Sequence, residues 1–180
     1  MGPNDLKYDV TMRSQVLEKT RATDASRKLV DLNCGRYCAE SVLRWTKMHN
    51  NVTLPEGNIF YEVLPNGRAD RKERGWDPGK DGTAYFEVLK KPDDSSDPLE
   101  AWINLLRERG PVIISGKLGL AKMVPILDIG HYLLVIGVFE GHLIYKDPLA
   151  GDDVKKLSTV DLYKIDKKVI VLREQWCRRA

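Results

Sequence analysis

Three cysteines in 180 residues, an odd number, are too few for a disulfide framework. No apolar run approaches the roughly 20 residues that a membrane helix needs. The longest, HYLLVIGVF from His131 to Phe139, has the length of a buried strand. Charge of one sign is also missing. The 29 Lys and Arg residues against 26 Asp and Glu leave a net +3, which gives no footprint for a nucleic-acid partner. The chain holds no glycine-rich phosphate loop, no CxxC pair, no internal repeat and no low-complexity tract. The spacing of Cys34 and Cys38 is CxxxC, which is not a usual zinc knuckle, so no metal and no cofactor is expected. The opening MGPNDLKYDV has neither a basic start nor an apolar stretch and does not read as a secretory signal. Met1-Gly2-Pro3 also fits a cloning remnant, in which case the chain is a fragment.

What is present is an ordinary globular balance, 42% apolar and 31% charged, enough for one real core. A chain of this length is expected to form a single domain. Lys7 to Gln15 alternates and predicts a short strand. NCGRYCAESVLRWTKMH predicts a helix from about Cys34 to Met48, because Cys38, Val42 and Trp45 recur at helical spacing. Residues 50–97 are rich in Gly, Pro, Asn and Asp and read as an irregular cover over a cleft, with Trp76 its one aromatic able to line that cleft. The basic run RADRKERG, residues 68–75, lacks interleaved aromatics and reads as a solvated loop. Asp97 as cap, Pro98 at the first position and Gly110 as stop define a helix over 98–109. Strands are predicted at Pro111–Ser115, His131–Phe139, Leu143–Lys146 and Lys168–Arg173, with Glu140-Gly141 as a tight hairpin turn. Helices first and an antiparallel sheet second is an α+β order.

Cys34 stands where a polar segment turns into a buried helix. Unpaired N–H groups and the positive end of the helix dipole there stabilise a thiolate, and Gly35 leaves room beside the sulfur. A small core residue that happens to begin a helix explains the same position. His131 opens the most apolar strand, where it is either a capped edge histidine or a base reaching across to a helix start. Asp147 ends the next strand, in YKDP, as a turn initiator, an imidazole partner, or both. The hairpin makes His131 and Asp147 neighbours, and a carboxylate so placed fixes the imidazole tautomer and leaves its other nitrogen for a thiol. Cys38, one turn into the helix, is expected in the core, as are Trp45 and Trp102. Cys177 is expected at the surface of a basic tail, and His142 is expected to be exposed and without a role.

In order and spacing, CGRYCAESVL, RGPVIISGK, GHYLLVIGV and IYKDPLAGD resemble papain-like cysteine proteases. More narrowly they resemble the bacterial peptidase C39-like group and the plant-pathogen effector proteases of the AvrRpt type. These segments cover roughly a third of the chain. The resemblance implies a papain-like α+β fold, with an N-terminal catalytic helix packed on a C-terminal antiparallel sheet. The helical lobe would span about residues 1–110 and the sheet lobe about 111–180. It implies Cys34 as nucleophile, His131 as base and Asp147 as orienter. A glutamine upstream of the cysteine supplies an oxyanion donor in such families, which points to Gln15. The interval from Gln15 to Cys34 is longer than the pattern usually has, and an insertion over residues 16–31 would account for it; otherwise Asn33 takes the role.

The implied activity is hydrolysis of a peptide or amide bond, with a protein or peptide substrate and neither nucleic acid nor membrane as partner. The same triad could serve acyl transfer or deamidation. The effector resemblance further implies a secreted or delivered protein, with a host activator or an immunity protein as partner. Two other readings come from different classes: a catalytically silent peptide-binding domain, which typically lacks the cysteine, and a zinc site on Cys34, His131 and Asp147, which lacks an obvious fourth ligand.

Overall fold

Large aliphatic residues on every position of a strand, rather than on alternate ones, require a sheet covered on both faces. The segment HYLLVIGVF fills that role in the computed structural model. The structure describes residues 5–13, 29–31, 34–46, 60–62, 77–92, 97–116, 118 and 131–177, with backbone alone for 29–31 and 60–62. Twelve elements matter here: β1 (Leu6–Lys7), β2 (Leu29–Asp31), α1 (Cys34–Trp45), β3 (Phe60–Glu62), β4 (Phe86–Lys90), α2 (Pro98–Arg109), β5 (Val112–Gly116), β6 (His131–Phe139), β7 (His142–Lys146), β8 (Val154–Leu157), β9 (Ile165–Leu172) and the short α3 (Glu174–Cys177). Among the described residues seven strands form one sheet in the order β4-β9-β5-β6-β7-β8, with β1 also paired to β6. All of its pairings are antiparallel. Strands β2 and β3 pair apart from it. The molecule is α+β.

Helix α1 covers one face of this sheet and α2 the other. Leu134 and Ile136 of β6 pack with Cys38, Ala39, Val42 and Leu43 of α1. The intervening Leu133 and Val135 pack with Trp102, Ile103 and Leu106 of α2. One strand therefore supplies two cores. Helix α2 begins as its sequence dictates: the Asp97 carboxylate accepts from the N–H groups of Leu99 at 3.0 Å and Glu100 at 3.2 Å, and Pro98 takes the first turn. It ends at Gly110, whose N–H donates to the Leu106 carbonyl at 2.7 Å. The β6–β7 hairpin turns on Glu140 and Gly141, with φ of 49° and 72°. Two consecutive left-handed residues match the twist of the flanking strands.

Three expectations need correction. Among the described residues, the predicted strand over residues 7–15 pairs only at Leu6–Lys7, opposite Val138 and Gly137. Strand β5 already occupies that edge of β6 as far as Val135, so Tyr8 makes one last bond to the Ile136 carbonyl, 2.8 Å, and the chain leaves the sheet. Val10 and Met12 are buried all the same. The region read as an irregular cover contributes β4, which pairs along its whole length with β9. Strands β1 and β4 thus come from the first 110 residues, and the sheet is not confined to the chain after 111. Strand β8, VKKL, was not predicted, because its two lysines hide the pattern of an edge strand with one wet face.

Candidate active site

The register of the hairpin brings two polar residues together in a dry place. Strand β7 pairs with β6 up to Lys146 opposite Leu134, so the next residue, Asp147, lies at the mouth of β6, where His131 begins. Both side chains are sealed from solvent, His131 at 1% exposure and Asp147 at 0%. A buried carboxylate beside a buried imidazole is costly unless each satisfies the other. They do: His131 Nε2 and Asp147 Oδ1 are 2.7 Å apart. The same Oδ1 accepts from the Leu149 N–H at 2.9 Å, which fixes the carboxylate within its turn. Because the carboxylate is an acceptor, Nε2 must carry a proton, and the tautomer follows.

The other ring nitrogen, Nδ1, is buried and without a hydrogen-bond partner among the described residues. The thiol at the first residue of α1 acts on this ring. Burial by itself lowers the imidazole pKa. The hydrogen bond to Asp147 and the influence of Cys34 outweigh it and bring the pKa up to about 9. With Nε2 committed to Asp147, Nδ1 is the nitrogen left to the sulfur. His131 on β6 and Asp147 in the turn after β7 thus form a bonded pair, and Cys34 at the start of α1 influences the same imidazole. Cys34 is half-buried and accessible.

Helix α1 begins at Cys34. There is no acid in its first turn to compete with the sulfur for the N–H groups, and Gly35 behind it is buried. The two thiols of this helix differ sharply. Cys38 is fully buried, and burial, reinforced by Cys34 and Asp147, pushes its pKa well up and keeps it neutral. Cys177 is not at the open surface as expected. It is half-buried in α3, with Sγ 3.4 Å from the Arg173 carbonyl, and burial raises its pKa as well.

The loop after Asp147 is braced from both sides. Lys146, buried, donates to Asp152 Oδ1, and the Met12 N–H donates to the same oxygen at 2.9 Å. These bonds hold the Asp152 carboxyl below its ordinary pKa. Met12 is thereby fixed beside the turn that carries Asp147. Gln15, Asn33 and Trp76 lie outside the described residues.

Sequence reasoning missed Tyr132 and Asp77. Tyr132 follows His131; its phenol is pushed up in pKa by burial and by Asp77, to which it is hydrogen-bonded, and the charges of Cys34 and Cys38 also reach it. The available signal was adjacency to His131 and the Asp-Pro turn of GWDPG, where attention went to the tryptophan. His142, half-buried, has Nδ1 2.8 Å from the Glu140 carbonyl and is remote from the group. Among the described residues no cluster of three or more His, Cys, Asp or Glu is arranged to hold a metal ion, and no helix is long and apolar enough to cross a membrane. Protein-family models and curated proteins gave no match to this chain.

Proposed function

We propose that this protein is a cysteine peptidase that cleaves an amide bond through Cys34, His131 and Asp147. The observation that carries the reading is a buried imidazole with one nitrogen held by a carboxylate at 2.7 Å, while a half-exposed helix-start thiol acts on the same ring. A histidine needed only for stability would have both nitrogens satisfied or one in water. Here the unpaired nitrogen is the one left to the sulfur.

In this mechanism the thiol proton passes to His131 Nδ1, and the resulting imidazolium is stabilised by Asp147. The Cys34 thiolate attacks the carbonyl carbon. The Cys34 N–H donates to the oxyanion; the second donor that the resemblance implies, Gln15 or otherwise Asn33, lies outside the described residues. The imidazolium returns its proton to the leaving amine as the C–N bond breaks, leaving a thioester. Water then attacks, His131 takes its proton, and the thioester opens to acid and free thiol. A nucleophile other than water at this stage would give acyl transfer on the same group.

The test is alkylation of each cysteine by iodoacetamide as a function of pH, read by mass spectrometry. Cys34 is expected to react well below the unperturbed thiol pKa of ~8.5, at least tenfold faster than Cys177. Removing His131 should abolish that advantage, with the melting temperature recorded to show a folded variant. Cys34 reacting no faster than Cys177, or equally fast without His131, would sink the proposal.

A further inference from the structure

Asp147 is aimed by the turn that carries it, and that turn is gripped from outside. Within it, the Ala150 N–H donates to the Asp147 carbonyl at 2.8 Å, and Gly151 reverses the chain at a φ of 67°. At its end, Asp152 Oδ1 accepts from the buried Lys146 ammonium and from the Met12 N–H, the latter at 2.9 Å. Met12 belongs to the segment that follows β1. The same segment is also bonded upstream, where Asp5 Oδ1 accepts from the Glu140 N–H at 3.1 Å. Residues 5–12 therefore form a strap, bonded to the turn before β7 and to the turn after it. Val10 and Met12 anchor the strap in the apolar cluster that includes Cys38 and Val42 of α1.

Lys146 is the odd member of this arrangement. It lies opposite Leu134 on β6 and Val154 on β8. Its side chain is 7% exposed, whereas that of Asp152 is 62% exposed. An aliphatic residue between such neighbours would avoid the cost of drying an ammonium, and a carboxylate this wet offsets little of that cost. Stability does not explain the lysine; geometry does. Lys146 precedes Asp147 and Asp152 ends the turn, so their ion pair closes the loop around the carboxylate. Asp147 Oδ1 in turn meets His131 Nε2 at 2.7 Å and the Leu149 N–H at 2.9 Å. A drift of the turn by about 1 Å would break that alignment.

We infer that Lys146 and Asp152 are positioning residues: their ion pair, locked to the Met12 N–H, fixes the turn that aims the Asp147 carboxylate at His131. The inference rests on the peptidase reading and deepens it, since both residues act through Asp147. Loosening the pair lets the carboxylate drift from Nε2 and weakens its hold on the imidazole proton. Less thiolate is then stabilised at Cys34. The two charges also act on the ring through space, and with opposite signs. Through space alone, losing Lys146 would raise the affinity of His131 for its proton and losing Asp152 would lower it. Positioning requires a fall in both.

The test follows the His131 imidazole by NMR against pH in the full chain with isotope-labelled histidine, its signal identified by its absence from His131→Ala. Iodoacetamide alkylation of Cys34 near neutral pH is read on the same samples. In Lys146→Met and in Asp152→Ala the His131 midpoint should fall from about 9 toward 6.5, by at least the ~0.5 that marks a threefold loss of proton affinity. Cys34 alkylation per folded molecule should slow by about threefold. Asp152→Asn keeps an oxygen for both donors and should stay within about twofold of the wild type. Should Asp152→Ala fail to fold because it strands a buried ammonium, Lys146→Met leaves none and decides the question alone. A role in stability only would lower the melting temperature and leave the midpoint in place. A midpoint that rises in Lys146→Met, or moves in neither variant, overturns the inference. If wild-type Cys34 is then still fast and dependent on His131, the peptidase reading stands. A wild-type Cys34 that iodoacetamide finds unactivated overturns both.

Discussion

Helices α1 and α2 are both twelve residues long and cover opposite faces of one sheet, yet their first turns are built to opposite ends. The start of α2 is closed: Asp97 accepts from two N–H groups, Pro98 removes a third donor and Glu100 adds a compensating charge. The start of α1 has no acid in its first turn and places a half-exposed thiol there, with a buried imidazole and carboxylate behind it. At the other ends the two helices meet. Tyr8 packs edge-on against Trp45 of α1 and donates to the Leu106 carbonyl of α2 at 2.7 Å, and Trp45 lies against Gly110. The C-terminal ends are tied together for stability. Of the two N-terminal turns, that of α2 is closed by Asp97, Pro98 and Glu100, and that of α1 carries Cys34 and no acid.

The largest effect should come from the acid paired with His131. Asp147→Ala removes the acceptor of a buried Nε2–H, and kcat/KM for a cleaved peptide should fall by about 10²- to 10⁴-fold, the range for a general acid–base group. Asp147→Asn keeps an oxygen for Nε2–H but removes the charge, so its loss should be smaller. The pH dependence separates the two contributions. His131 has its pKa raised from an ordinary 6.5 to about 9 in the folded protein. A raised basic group stabilises the fold fully below pH 6.5, and that contribution disappears as the pH climbs through about 9. Urea unfolding should therefore show stability falling over that window in the wild type and much less in Asp147→Asn. The alkaline limb of kcat/KM, near pH 9 where the imidazolium is lost, should move to lower pH in the same variant. Equal profiles for the two proteins would mean that the Asp147 charge does not hold the proton on His131.

A second prediction concerns the tied ends. Gly110 has φ 76° and ψ −156°, a region nearly confined to glycine, and a Cβ there would come within 2.5 Å of the Trp45 ring. Gly110→Ala should cost about 2–4 kcal/mol in denaturant unfolding, from backbone strain and overpacking together. Cys34 alkylation per folded molecule should not change. A variant as stable as the wild type would show that Trp45 moves aside freely and that the ends are not tied.

These contrasts also explain what could be read in the amino-acid order. The caps of α2, the Glu140-Gly141 turn and the long strand β6 are set by local rules, and each lies within a residue or so of its predicted place. The His131–Asp147 pair was legible because a hairpin is a local device: its register alone places Asp147 beside His131. Strand β4 was not legible. Its pairing with β9 spans some eighty residues of chain, and FEVLK within a Gly- and Pro-rich stretch carries no local sign of that partner. Strand β1 failed for the converse reason, since the alternation in residues 7–15 is real but β5 holds the edge it would have used. Asp77 was hidden likewise, its role depending on a phenol more than fifty positions away.

The smallest expected effect sharpens the comparison most. Asp97→Ala removes both side-chain bonds at the start of α2 but leaves Pro98 and Glu100 in place. Its cost should be about 1 kcal/mol, as for other N-cap aspartates, since the freed N–H groups are exposed and can turn to water. The thiol lies on the other helix and the histidine on β6, so neither should register the change, and peptide cleavage and Cys34 alkylation should match the wild type at temperatures where both proteins are folded. Urea unfolding and alkylation on one preparation measure the two together. A fall in alkylation without a matching fall in stability would mean that the start of α2 communicates with the start of α1 through β6, the strand to which both helices pack. The capped end would then be part of the device rather than its scaffold.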